Sequence, residues 1–165
     1  MNRVLGFFML CSMIIVNQVA AIAAIDKSQI QISAKYETGL NGQINLKLSL
    51  TNLSPQTVEL LRAELPWENY RNIDLVLLEK LTRTQLKQRV YIEDSVLPGS
   101  VFLKSGETLT GQVDLGLYFP KLGNALESGA VLVFWHCEIS SIELNRKVEF
   151  GGRITIPKML VTAKR

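Results

Sequence analysis

Apolar and polar residues take turns along most of this chain. Ile30, Ile32, Ala34 and Tyr36 are interleaved with Gln31, Ser33, Lys35 and Glu37, and Ile44, Leu46, Leu48 and Leu50 with Asn45, Lys47, Ser49 and Thr51. A period of two places one parity on a buried face and the other in solvent, so each run predicts a half-buried strand. The Gly39-Leu40-Asn41-Gly42 connection predicts a hairpin between them. Short strands follow at Val58–Leu61, Val101–Leu103, Thr108–Leu115 and Val148–Ile156. Turns are marked by Ser54-Pro55, Pro98-Gly99 and Lys104-Ser105-Gly106-Glu107.

Two stretches break the rhythm. From Gly129 to Ile139 both parities are apolar, which predicts a central strand covered on both faces and too short for a membrane-spanning helix. Residues 72–89 admit two readings. One is a strand over Leu75–Leu78 followed by a solvated hairpin. The other is a helix capped by Asn72 or Asp74. The strand is preferred. Val90-Tyr91-Ile92 reads as a further strand end, and Lys121 to Ser128 as a loop with at most one helical turn. Eight or nine strands with no sustained helix predict an all-β fold: two packed antiparallel sheets, an immunoglobulin-like β-sandwich.

The N-terminal segment changes the compartment expected for this sandwich. Arg3 precedes an apolar run from Val4 to Val16, and Ala21 and Ala23 supply small residues for cleavage after Ala23. This is the layout of a secretory signal peptide over residues 1–23, leaving a single domain over 24–165. The alternative is an uncleaved anchor, for which the run is short. Phe8-Met9-Leu10 before Cys11 lacks the small residues of a lipidation motif. The expectation is an exported protein, periplasmic or extracellular, with no stable membrane anchor after cleavage. Cys137 is then the one cysteine left, so no internal disulfide can form and the fold relies on its core.

A net charge of +3 with both signs interspersed gives no clustered basic face, so no nucleic-acid partner is expected. Chemistry is sparse. His136 is the single histidine, and strand geometry sends it and Cys137 to opposite faces, which rules them out as a dyad. His136 and Glu138 share a face but are too few for a zinc site. No cofactor or metal is expected. An enzyme would require a polar cleft around His136 and Glu138. Asn52-Leu53-Ser54 is a glycosylation sequon, disfavoured by Pro55.

Four residues read as structural: Trp135 and Cys137 as core side chains, and Asp114 with Tyr118 in the spacing of a tyrosine corner. Gly151-Gly152 inside a strand predicts a bulge or close backbone packing. Candidate contacts with a protein partner are Pro66 and Trp67 at a strand exit, though Trp67 also suits an edge-covering role. The basic residues Lys80, Arg83, Lys87 and Arg89 suit either a solvated edge or an acidic partner.

Several pieces in the middle of the chain resemble a known module. These are Leu50-Thr51-Asn52 before a turn, Phe102 to Glu107, Val113-Asp114-Leu115 followed by Tyr118, and Gly129 opening an aromatic-rich strand. So spaced, they resemble the immunoglobulin-like prodomain of deuterolysin-type and peptidyl-Lys zinc metalloendopeptidases. The zinc-binding protease domain of that family is absent, so no catalytic residue carries over. A glycine-marked turn near Lys80 to Arg83 is missing as well. The resemblance implies a free-standing version of the accessory domain, one that covers or chaperones a protease or simply reuses the fold. The function expected is therefore a non-enzymatic, exported sandwich that binds another protein, prodomain-like or inhibitor-like. A structural subunit of an envelope or extracellular assembly is the alternative.

Overall fold

The computed structural model describes residues 29–39, 42–89, 98–141 and 146–159. The signal-peptide and cleavage expectations and the strand end at Val90–Ile92 lie outside the described residues. Two antiparallel sheets carry the described chain. The smaller has the order β1 (Ile30–Thr38), β2 (Ile44–Asn52), β6 (Thr108–Asp114). In the larger, β7 (Val131–Ser141) lies between β8 (Arg146–Ile156) and a lane formed by β3 (Val58–Leu61) and β4 (Ile73–Glu79). β5 (Ser100–Leu103) flanks β3. These are the positions of strands A-B-E and G-F-C in an immunoglobulin-like sandwich, with β5 beside C.

Alternation becomes burial where it was expected. Ile44, Leu46, Leu48 and Leu50 of β2 join Val131, Val133, Trp135, Cys137 and Ile139 of β7 in one buried cluster. Each fully buried aliphatic side chain contributes roughly 1.5–3 kcal/mol by leaving water. The preferred strand-and-hairpin reading of 72–89 holds. Ile73, Leu75 and Leu77 turn inward, and the chain returns through Glu79 N–H to Thr84 O at 2.9 Å and Leu86 N–H to Leu77 O at 2.9 Å. Arg83, at φ 61°, makes the left-handed step of that turn, a conformation that glycine adopts more readily.

Four expectations need correction. Among the described residues β7 is covered along its length on one face only. Of its outward residues Leu132 is buried, but Phe134 and Glu138 are exposed and His136 is half-exposed. The loop at Lys121–Ser128 is the helix α2 (Leu122–Ser128), because Leu122, Ala125 and Leu126 form an apolar face at helical spacing that enters the core. The strand stops at Asp114 rather than Leu115. Asp114 Oδ1 accepts from Leu117 N–H at 3.1 Å and caps the helix α1 (Leu115–Tyr118). Tyr118 therefore sits on α1, well before β7, and not at the strand start that a tyrosine corner occupies. Of the two readings of Gly151-Gly152, close packing holds and the bulge does not, since the pair stays in register opposite His136 and Trp135. Close packing is the reason for the pair, since a Cβ at Gly152 would come within 3.1 Å of the Trp135 ring.

Candidate functional site

The third lane of the larger sheet is broken. Leu60 lies opposite Ser141 and Ile73 opposite Cys137, so thirteen steps of chain cover only four steps of β7. The surplus leaves the sheet as an excursion through residues 62–72. Arg62 N–H donates to Gly99 O at 3.0 Å, which ties its start to the turn before β5. Asn72 Nδ2 donates to Ala63 O at 2.6 Å and Leu65 O at 2.9 Å, closing the excursion on itself.

Pro66 and Trp67 ride on this excursion, and their placement follows from it. Pro66 is buried and Trp67 is half-buried. A Cβ at Gly111 of β6 would run into the Trp67 ring, so the indole occupies the space that a side chain at 111 would need. Trp67 thus closes the gap between the sheets at the β6 edge. The contact expectation fails for buried Pro66, and packing against β6 is the role the structure gives Trp67.

Where the lane is missing, a cleft of about 290 Å³ opens beside β7. Glu64, Arg71 and Asn72 from the excursion, Asp74 from β4, His136 and Glu138 from β7 and Lys147 from β8 line it. Ser140 N–H donates to Glu64 Oε2 at 2.9 Å, a side-chain acceptor standing near the break in the lane. His136 Nδ1 lies 3.5 Å from Asp74 Oδ2, and Lys147 Nζ 3.1 Å from Glu138 Oε2. Both pairs are largely exposed and are worth well under about 1 kcal/mol each. This is the polar cleft an enzyme would need around His136 and Glu138. Cys137 faces the core, and burial pushes its thiol up to about 12, where thiolate is scarce. Among the described residues no group of three or more His, Cys, Asp and Glu could hold a metal ion.

Beside the cleft, on the same outer face, is an apolar patch. Val76 of β4 and Phe134 of β7 are direct cross-strand partners, exposed to 39% and 36%. The next outward pair continues it towards the hairpin with half-buried Leu78, while its partner Leu132 is buried. Arg153 of β8 is the register partner of Phe134 on the other side. At the hairpin, Leu81 is 83% exposed, and Lys80, Arg83, Lys87 and Arg89 are all exposed. These four basic residues are therefore available to a partner, whereas Pro66 is not.

Val76 and Phe134 were missed in the sequence, although their signal was present. A strand apolar on both parities is either covered twice or bears an outward patch, and two adjacent strands of that kind place their outward residues together. The cleft was less legible, since its residues come from four separate elements. The sequon is closed. Asn52 has no exposed surface, and its Nδ2 donates to Gln56 O at 2.7 Å and Leu103 O at 2.8 Å.

No family model matches this chain, and no curated protein matches it. Among solved structures it is similar to the GAE domain of GGA2p from Saccharomyces cerevisiae. The identity is 16% and the TM-score 0.31, over 81% of this chain and 95% of that one. A likeness so distant carries no argument about the site.

Proposed function

We propose that this is an exported, non-enzymatic β-sandwich that binds another protein through the outer face of its larger sheet. The observation that carries the reading is the exposed Val76–Phe134 pair, held on two hydrogen-bonded strands beside an open, charge-lined cleft. A rigid apolar centre with a polar rim is the anatomy of a protein interface. Strands hold such a patch without an ordering cost at binding. The outward Cys137 that thiol chemistry would need is not there, because that side chain is in the core. The resemblance to protease prodomains makes a protease one form the partner could take. The test is capture from the native secretome or envelope extract on the immobilised protein, read by mass spectrometry, with Phe134→Asp as the paired bait. The expected result is a protein recovered by the wild type and lost with the variant. Equal recovery on both baits overturns the reading.

A further inference from the structure

We propose that the hairpin end of this outer face takes an acidic, amphipathic segment of the partner, with its apolar side chains on Phe134, Val76 and Leu78 and its carboxylates on the flanking cations. The inference rests on the protein-binding reading above and adds the chemistry of what is bound.

The register places the groups. Across the sheet, Arg153, Phe134 and Val76 form one row, and Thr155, Leu132 and Leu78 the next. Adjacent strands are spaced about 4.8 Å and successive outward residues about 7 Å, so the apolar side chains are neighbours. Lys80 follows Leu78 on the same parity, at the strand exit, where its N–H donates to Ala130 O at 2.8 Å. The return segment adds Lys87, exposed immediately after the buried Leu86 that lies against Leu77. Cations therefore border the stripe on the β8 side and on the hairpin side. The nearby acid, Glu79, lies on the opposite parity from Leu78 and accepts from Thr82 Oγ1 at 2.6 Å, and its single charge is outnumbered by Arg153, Lys80 and Lys87. Among the described residues the remaining acids of this face, Asp74, Glu138 and Glu149, lie towards the cleft, where Lys147 pairs with Glu138, so the hairpin end is the more positive of the two. A segment carrying carboxylates around one or two large apolar residues matches the hairpin end by charge and by shape. A basic or uniformly apolar segment does not.

The experiment is selection of random twelve-residue peptides, displayed on phage, against the full chain. Anisotropy titration of one labelled winner follows, at low and high salt. The expected winners combine Asp or Glu with Leu, Phe or Trp. Their affinity should fall several-fold between 50 and 500 mM salt, since exposed pairs are screened over about 10 Å at 0.1 M. Phe134→Asp should weaken binding at least ~10-fold by removing the apolar anchor. Arg153→Glu, an exposed change that spares the core, should weaken it several-fold and favour a lysine-substituted peptide instead. Winners that are neutral or basic, binding indifferent to Arg153→Glu, or no winner at all overturns the inference. If a protein is nonetheless captured in a Phe134-dependent way, the binding face stands and the acidic segment falls. If capture ignores Phe134, both fall.

Discussion

Replacing Asn52 should cost more than any other single polar substitution among the described residues. Its side chain is fully enclosed and makes three hydrogen bonds. Nδ2 donates to Gln56 O and Leu103 O, at 2.7 and 2.8 Å, and Oδ1 accepts from Ser54 N–H at 2.9 Å. Its backbone adds two more, Asn52 N–H to Glu107 O at 3.0 Å and Gly106 N–H to Asn52 O at 2.8 Å. One residue thus joins the end of β2, the turn after it, the end of β5 and the turn into β6. Asn52→Ala leaves the backbone bonds and removes the other three. Gln56 O keeps a donor in Ser54 Oγ at 2.9 Å, but Leu103 O and Ser54 N–H each lose the Asn52 side chain as a partner. Three bonds at about 1 kcal/mol net, with a further penalty for the buried groups left behind, sum to about 3–4 kcal/mol. Ser54→Ala at the same turn should cost only about 1 kcal/mol. Urea denaturation followed by the fluorescence of Trp67 and Trp135 measures both. Asn52→Asp sharpens the test. The oxygen that replaces Nδ2 would face the carbonyls of Gln56 and Leu103, so the native state raises its pKa above the ordinary value of about 3.9. A raised native pKa means stability is present at low pH and lost as pH rises. The variant should therefore recover relative to wild type towards about pH 3–4 and be weakest at neutral pH. A cost of Asn52→Ala below about 1 kcal/mol, or no recovery of Asn52→Asp in acid, refutes the reasoning.

Gly111→Ala should force the Trp67 ring out of its place over β6. The expected cost is about 3 kcal/mol with a red-shifted emission, and an unchanged spectrum and midpoint would show that Trp67 packs elsewhere. Arg83→Gly should stabilise by about 0.5 kcal/mol, the relief of a left-handed residue offset by the extra freedom of glycine in the unfolded chain. A lowered urea midpoint would contradict that. Cys137, with its thiol pushed up to about 12, should resist a thiol reagent in mildly alkaline buffer in the native protein and react promptly in urea; rapid native labelling would place it at the surface.

Local patterning carried most of the architecture. The alternation in β1, β2 and β6 needs only a period of two, and the hairpin and turn signals are written in Gly, Pro, Ser and Asn at the bends. The helical alternative for 72–89 was local ambiguity, settled by the pairing of Ile73–Glu79 with β7 across more than fifty residues of chain. Helix α2 was legible in principle, since Leu122, Ala125 and Leu126 are at helical spacing, but Gly123-Asn124 argued for a loop and burial outweighed them.

What the sequence alone determined is the fold class, the core parity of the alternating strands β1, β2, β6 and β8, the opposite facing of His136 and Cys137, and the exposure of the basic hairpin. All of these follow from side-chain direction along one short element. What only the tertiary structure decided is the site. Whether an apolar strand face is covered depends on what the rest of the chain brings over it, and nothing among the described residues encloses Val76 and Phe134. The cleft exists because the chain leaves the sheet between β3 and β4, a register shift that no local pattern encodes. Trp67 is a packing residue because a glycine more than forty residues away leaves room for it. Distances of that kind are set by the pairing of strands remote in sequence, and the proposed binding face is built from them.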